Sequence, residues 1–405
     1  MKIEGVDDLG QPRNRRETRA SILSVIWRQN GAYRTDISKF IDISEASVSR
    51  IVADLKAEAI VQEVHRSAPY RGGPSTILTL SNQKHVAAIE VSNNRMHVGI
   101  ASLQGKLLYS ERVPLKDGAD QIRIDEAIKT AIQMLADGTQ RGNWLIEQIA
   151  VTIPGFNLDR PRNPIIDLDP NLLRTQLAAR FPGIPVQIEN SILARAIAHR
   201  LRSAEDAARD RYLYVFAGHG VAGAMIDGSS DAGDVTACEL GHMVVDRKGP
   251  LCRCGHHGCA EAYASTVAIA PLMKVEEQTL LEMGDSWAQE LGLPARVSGA
   301  LHDRLTLLGI AIGNTLNVTR ARRIRVGGWP AAMGAAGEDA IRNGLDMSLL
   351  GGASAIDLKF VQSELGREPE SALALATFDF LRQGGKSVHQ QDQTDAWAEE
   401  AIGTE

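Results

Sequence analysis

The chain has 405 residues, 44% hydrophobic and 23% charged, the balance of an ordinary globular protein long enough for two or three domains with buried cores. No stretch approaches the roughly 18 uninterrupted apolar residues of a membrane helix, and the polar segment Met1 to Arg19 lacks the apolar centre of a secretory signal, so a cytoplasmic protein without a membrane partner is expected. The net charge of −6 is unevenly spread: Gln11 to Ser75 holds 11 basic against 7 acidic residues, and the remainder 33 against 43, as suits a protein that presents one basic end to nucleic acid.

Three short amphipathic helices are predicted first. Ile22, Leu23, Val25, Ile26 and Trp27 give one its apolar face, and Gly31 ends it. Thr35 is expected to cap a second, with Ile37, Phe40 and Ile41 facing inward. Ser44 reads as the N-cap of a third, with Val48, Ile51, Val52 and Leu55 at helical spacing. Its outer face carries Ser47, Ser49 and Arg50, able to reach phosphates or base edges. Alternation then predicts strands over Ile60–Val64 and Ser75–Leu80, a turn over Pro69–Pro74, and Arg66 and Arg71 flanking the hairpin. In that order the elements read as a winged helix-turn-helix with residues 44–55 as recognition helix. Thr35, Ser44, Ser47, Ser49, Arg50, Arg66 and Arg71 are its expected DNA contacts. Helical spacing alone also admits a three-helix structural or dimerisation module.

Val86–Val91, Arg95–Ala101 and Lys106–Val113 read as an antiparallel meander, followed by a helix over Asp125–Ala136 and a strand over Gln148–Ile153. Strands and helices in this order indicate an α/β fold. Farther on, Cys252, Cys254 and Cys259 stand within eight residues, with His242, His256 and His257 nearby. Three thiolates and one imidazole suit tetrahedral zinc and leave no open position for catalysis, so a structural Zn2+ is expected. Spacing alone does not choose among the three histidines. Cys238 stands apart and reads as a small buried side chain.

The run E-x-G-H followed by C-x-C-G-x-x-G-C-x-E resembles the signature of ROK proteins (repressor, open reading frame, kinase); Glu239, Gly241, His242, Cys252, Cys254, Gly255, Gly258, Cys259 and Glu261 match it. The resemblance runs from about residue 16 into the C-terminal region. It includes Ala150–Gly155, Pro185–Ser191, Tyr212–Gly228 and Ile324–Gly328. It implies two actin-like (ribonuclease-H-like) α/β lobes around a cleft, behind a winged helix-turn-helix of the family's repressor branch. It also implies that His242 joins Cys252, Cys254 and Cys259 on the metal. The expected division is 1–80 for the DNA-binding domain, 81–190 for the first lobe, completed by a helix within 371–405, and 191–370 for the second lobe with the zinc loop.

A ROK kinase needs two glycine-rich phosphate turns and an aspartate base. Where the family has D-x-G-G-T, this chain has Glu90-Val91-Ser92-Asn93-Asn94; its second turn reads Gly218-His219-Gly220-Val221-Ala222-Gly223-Ala224; and the base is replaced by Ser191. A serine of ordinary pKa does not act as a general base near neutral pH, so no enzyme activity is expected. The sugar-holding set implied by the resemblance is Asn171, Asn190, Glu239, His242 and Glu261; the two glutamates also fit a role supporting the zinc ligands. Arg195 falls one turn beyond Ser191, either as a solvent-exposed charge or as a partner for an anionic sugar. The resulting expectation is a sugar- or sugar-phosphate-responsive repressor, a homodimer or tetramer on double-stranded operator DNA. The alternatives are a regulator driven by a protein partner and a residual sugar kinase with a fused regulatory domain.

Overall fold

The computed structural model of the protein describes residues 14–66, 75–92, 95–115, 121–155, 166, 168–202, 211–227, 235–283, 287–292, 299–361 and 369–386. Helix α1 (Arg15–Arg28) opens on a reciprocal cap: Asn14 Oδ1 accepts from the Glu17 amide at 2.9 Å, and Glu17 accepts from the Asn14 amide at 3.2 Å. Helix α2 (Arg34–Ile41) begins behind Tyr33, which provides no side-chain cap, so Thr35 lies inside the first turn instead of capping it. Ile37 and Ile41, one turn apart, take the buried face and leave Phe40 49% exposed, against the inward placement expected. Asp42, left-handed at φ 55°, turns the chain, and Ser44 caps α3 (Glu45–Ala57) by accepting from the Ser47 amide at 3.2 Å. Val48, Ile51, Val52 and Leu55 are buried as their spacing requires.

Strands β1 (Val61–Arg66) and β2 (Ser75–Leu80) pair antiparallel. Ala32 adds a one-residue third strand by exchanging both backbone hydrogen bonds with Leu78 at 2.9 Å. Gly31 permits that approach: its φ is +114°, and a Cβ there would lie 3.0 Å from Ile77 and 3.1 Å from Thr79. The turn over 69–74, with Arg71, lies outside the described residues, as does the Arg66 side chain.

The first lobe is built on β3 (His85–Val91), β4 (Arg95–Ser102) and β5 (Leu107–Pro114), then α4 (Gln121–Gly142), β6 (Ile146–Ile153), α5 (Pro170–Arg180) and β7 (Val186–Asn190). Its sheet runs β5-β4-β3-β6-β7, a meander at one edge with β6 and β7 parallel to β3. Helix α6 (Ser191–Arg202) leads into the second lobe, with β8 (Tyr212–Ala217), β9 (Val221–Ile226) and β10 (Val235–Cys238). Four helices follow, α7 (Glu261–Ala264), α8 (Thr266–Met273), α9 (Glu277–Met283) and α10 (Trp287–Glu290), and then α11 (Gly299–Thr319). The chain continues through β11 (Arg323–Gly328), α12 (Gly334–Ser348), β12 (Asp357–Phe360) and α13 (Glu370–Arg382). The second sheet runs β10-β9-β8-β11-β12 with β8, β11 and β12 parallel. Among the described residues, no helix is long and apolar enough to cross a membrane.

Strand β3 is buried on both faces because alternate side chains serve two cores. Ala87, Ile89 and Val91 pack with Ile128 and Leu135 of α4, while Val86 and Ala88 join Ala372 and Ala376 of α13. That second core does not stop at the lobe. Leu23 and Ile26 of α1 and Val52 and Leu55 of α3 belong to the same cluster as Leu375, Phe380 and Leu381 of α13. Only residues 81–84 separate β2 from β3, and the Ser81 amide donates to Ile60 O at 2.8 Å. The winged helix is therefore seated on α13 and is not held on a free linker. Phe380 is 1% exposed in this shared core, and Phe380→Ala is expected to cost about 3–5 kcal/mol. Circular dichroism and a fluorescent label on α1 should report one coincident transition; an unchanged winged-helix transition beside a destabilised lobe would contradict the shared core.

Candidate functional site

After β10 the chain enters a loop without long regular elements, held by short bridges between Val244 and Cys259 and between Leu251 and His257. Gly258, at φ +73°, lies where a Cβ would sit 1.5 Å from Asp246 O, so only glycine brings Cys259 back under the loop. His242, Cys252, Cys254 and Cys259 converge, their ligand atoms all within 4.8 Å of one another. His242 Nδ1 lies 3.7 Å from Cys252 Sγ, and Cys254 Sγ 3.6 Å from Cys259 Sγ. A tetrahedral zinc with Zn–S of about 2.3 Å and Zn–N of about 2.0 Å sets ligand–ligand edges of roughly 3.5–3.8 Å, so this cluster fits a metal ion. His257 Nδ1 instead lies 3.0 Å from Gly249 O, and His256 touches only the outer thiol, 3.5 Å from Cys254 Sγ. Burial and the neighbouring Cys254 push Cys259 up to about 12, a penalty that a divalent cation removes by holding the thiolate. Cys238, raised to about 11 by burial, stays outside the cluster.

Glu261 links the loop to the second glycine turn. One carboxylate oxygen accepts from the Val221 amide at 2.9 Å, and the other lies 4.0 Å from Cys252 Sγ. The Gly218 amide donates to Gly220 O at 2.9 Å, so two amides of this turn are committed within the protein. At the tip of the turn His219 Nε2 lies 2.7 Å from Arg253, which also pairs with Glu277 at 3.1 Å. Burial, then the Arg253 charge, hold His219 down to about 4, so it is a neutral imidazole that accepts from the guanidinium. Because its folded pKa lies below the ordinary 6.5, the stability it contributes is complete above 6.5 and is lost as pH falls towards 4. His219→Gln is expected to flatten unfolding free energy across that window by up to about 1.4 kcal/mol per pH unit. Urea titrations at pH 4.5, 5.5 and 6.5 giving the parental slope would refute this.

Asn190 ends β7 at the carboxyl edge of the first sheet, where ligands of α/β folds bind. Its Oδ1 accepts from the Ile192 amide at 3.1 Å, and the next side-chain oxygen, Ser191 Oγ, is buried with no hydrogen-bond partner among the described residues. Asn171 is exposed in the first turn of α5, where its amide donates to Asp169 Oδ1 at 2.9 Å. Glu239 is exposed, and its carbonyl accepts from the His242 amide at 3.0 Å. Thus His242 and Glu261 meet at Cys252, while Asn171 and Asn190 stand on the first lobe.

Arg195 departs from the solvent-exposed placement its spacing allowed. Its side chain is only 12% exposed, 3.6 Å from Glu90 of β3 and 4.2 Å above the Phe216 ring of β8. Glu90 occupies the acid position of the first phosphate turn and also accepts from Ser371 Oγ of α13 at 2.7 Å. The guanidinium is thus not solvent-exposed, and it is engaged by a buried carboxylate and an aromatic ring of the protein itself.

At the other end of the molecule, Ser49 and Arg50 are exposed on α3 and Ser47 is half-buried. Arg34 and Lys56 both pair with Glu63, and Arg15 pairs with Asp54 at 2.6 Å. Arg50 forms no ion pair among the described residues.

A sequence profile of the ROK family matches residues 86–373. The chain belongs to the ROK family. It is 26% identical over 338 residues to a putative xylose repressor of Caldicellulosiruptor sp. (strain Rt8B.4), covering 77% of this chain and 83% of the relative. It is 28% identical over 302 residues to the DNA-binding transcriptional repressor Mlc of Escherichia coli (strain K12), covering 72% and 73%. Among solved structures, a ROK family transcriptional regulator homologous to the E. coli Mlc protein superposes with a TM-score of 0.69 at 20% identity, over 91% of this chain and 97% of that one. A ROK glucokinase from Streptomyces griseus superposes with a TM-score of 0.56 at 22% identity, over 74% and 99%. These superpositions establish the actin-like ROK fold, shared by regulators and kinases alike.

The contacts of Glu90, Arg195 and Ser371, of His219, Arg253 and Glu277, and of Arg19 with Glu58 leave no signal in the sequence. Arg253 sits inside the C-x-C run of this ROK chain and Arg195 one turn beyond Ser191, but their partners lie far along the chain.

Proposed function

We propose that this ROK protein is a sequence-specific DNA-binding transcriptional repressor whose ROK domain senses a sugar or sugar derivative and has lost kinase chemistry. The observation that carries the reading is the common core of the winged helix and α13, which ties an exposed polar recognition face to a ligand-binding fold. Arg195 on the acid of the first phosphate turn, Arg253 on His219 in the second, and Ser191 in place of a base all oppose phosphoryl transfer. Relatives named for xylose repression and as Mlc support the repressor assignment. The proposed effector set is Asn171, Asn190, Glu239, His242 and Glu261. A structural zinc on His242, Cys252, Cys254 and Cys259 stiffens the wall that Glu261 shares. The proposed DNA contacts are Ser44, Ser47, Ser49 and Arg50 of α3 and its cap, Thr35 of α2, and Arg66 and Arg71 of the wing. A cytoplasmic homodimer, or a tetramer formed by pairing two such dimers, places two α3 helices in successive major grooves of operator DNA.

The test is fluorescence anisotropy on DNA from immediately upstream of the protein's own gene, repeated with a panel of sugars and sugar phosphates. Salt-sensitive binding released by one sugar is the expected result. Failure to bind, or ATP turnover with a hexose, would overturn the reading. A second reading, control by a protein partner, is favoured by one observation: Val318, Met347 and Leu350 are 82%, 71% and 94% exposed. They lie where Asn317 bonds Ser348 O at 2.8 Å and the Leu350 amide at 2.9 Å. Operator binding that no sugar alters would move the assignment there.

A further inference from the structure

We propose that α13 is a rigid relay that reports the gap between the two lobes to the recognition helix, with Arg195 as its sensor and Arg19 as its output. This rests on the repressor reading above and assigns the route by which its cleft is coupled to DNA.

The sensor end follows from where Arg195 stands. Its helix, α6, runs from the first sheet to the second, and its guanidinium touches Glu90 on one sheet and Phe216 on the other. A change in lobe separation cannot preserve both contacts. Glu90, 5% exposed, is in turn the acceptor for Ser371 in the first turn of α13. The charge that holds Arg195 and the oxygen that seats α13 thus belong to one carboxylate.

Helix α13 lies on the sheet through directional contacts as well as apolar ones. Ser371 bonds Glu90 near its start. Asp379 near its end accepts from Gln148 of β6 at 3.1 Å and from Gln383 at 3.0 Å. Such buried polar contacts fix discrete seats for a helix instead of a continuous slide.

The output end is equally specific. Arg19 of α1 is 3% exposed and donates from Nε to Gly384 O, just past α13, at 2.7 Å. Its two terminal nitrogens form a fork on Glu58 at 3.0 and 2.5 Å. Glu58 is the residue that ends α3. Gly385 lies against Ile60 and Leu23, where a Cβ would come within 2.8 Å and 3.2 Å of their side chains. A shift of α13 along its axis therefore pulls on the C-terminal end of the recognition helix through one guanidinium.

Hydrogen–deuterium exchange of the full-length chain tests this without DNA or sugar. Ser371→Ala is expected to speed exchange at least fivefold in α1 and α3, more than 280 residues away in sequence. Glu90→Gln, which weakens the hold on Arg195 but keeps an acceptor for Ser371, should produce the same pattern. Coupling is reciprocal, so Arg19→Lys should speed exchange in β3 and the first turn of α13. Ile341→Val, in the core of the second lobe, should leave α1 and α3 at parental rates. Acceleration confined to the neighbourhood of each substitution overturns the relay, as does an equal response to Ile341→Val. Either result leaves the DNA-binding assignment standing, and a chain that binds no operator would defeat that assignment while the exchange pattern still decided the relay.

Discussion

Cys259→Ser is expected to abolish binding of the proposed structural zinc and lower the midpoint of thermal unfolding by roughly 8–16 °C. Losing a structural metal belongs to the class of changes that cost more than about 4 kcal/mol, and a domain of this size shifts by roughly 2–4 °C per kcal/mol. The loop has little to fall back on. Its bridges are single pairs, and Cys259 is fully buried with the Ala260 amide bonded to Met243 O at 2.9 Å. Without the cation, buried thiols replace a cross-link between His242 and Cys259. The damage does not stay local, because Glu261 spans from Cys252 to the Val221 amide and so carries the loss into the glycine turn. Cys238→Ser is the control: that thiol lies outside the cluster, and the variant should keep its metal. Metal analysis and scanning calorimetry on both variants decide the matter. A Cys259→Ser protein that retains one equivalent of metal and its parental midpoint would remove the cluster from the stability of the fold.

The parts of this protein legible in its sequence are those whose cause is local. The N-cap and periodicity of α3 and the alternation of the meander β3–β5 follow from neighbouring residues, whereas the choice of His242 for the three cysteines rests on the ROK resemblance, because spacing leaves three histidines open. Thr35 and Phe40 depart from their expected places for two reasons, one at the helix start and one in packing. Tyr33 opens α2 without a side-chain cap, and the seam holds Ile37 and Ile41 but no third large side chain. The Ala32 bridge to Leu78 is too short to leave an alternating pattern. Helical spacing places Arg195 as a charge facing solvent or ligand. Its burial depends on Glu90 and Phe216, which reach it only once both sheets are built. The same holds for Arg19, whose partner Gly384 is 365 residues away. Long-range polar pairs have no periodicity, so the groups that join the cleft to the recognition helix were the least visible before folding.

Arg50→Ala is expected to weaken operator binding about 5- to 150-fold, the roughly 1–3 kcal/mol of one bidentate base contact, and to relax preference at a single base pair. The choice of Arg50 comes from comparing the two basic residues of α3, Arg50 and Lys56, and from the ion pairs that hold several basic groups around them. Arg15, Arg34 and Lys56 are held by Asp54 and Glu63, and Arg19 is buried on Glu58. Arg50 is exposed on α3 and forms no ion pair among the described residues. Ser49 stands beside it, on the face opposite Val48, Ile51, Val52 and Leu55. That apolar face is untouched by the substitution, so the thermal midpoint should move by no more than about 2 °C, as surface changes stay within roughly 0.5 kcal/mol. Titrations against the operator and single-base variants, at two salt concentrations, separate the roles. A base reader loses discrimination at one position, whereas a phosphate contact weakens all sequences alike and lowers the salt slope by about one. Parental affinity and parental discrimination in Arg50→Ala would mean that α3 does not read DNA through this face, and would return the N-terminal helices to a structural role.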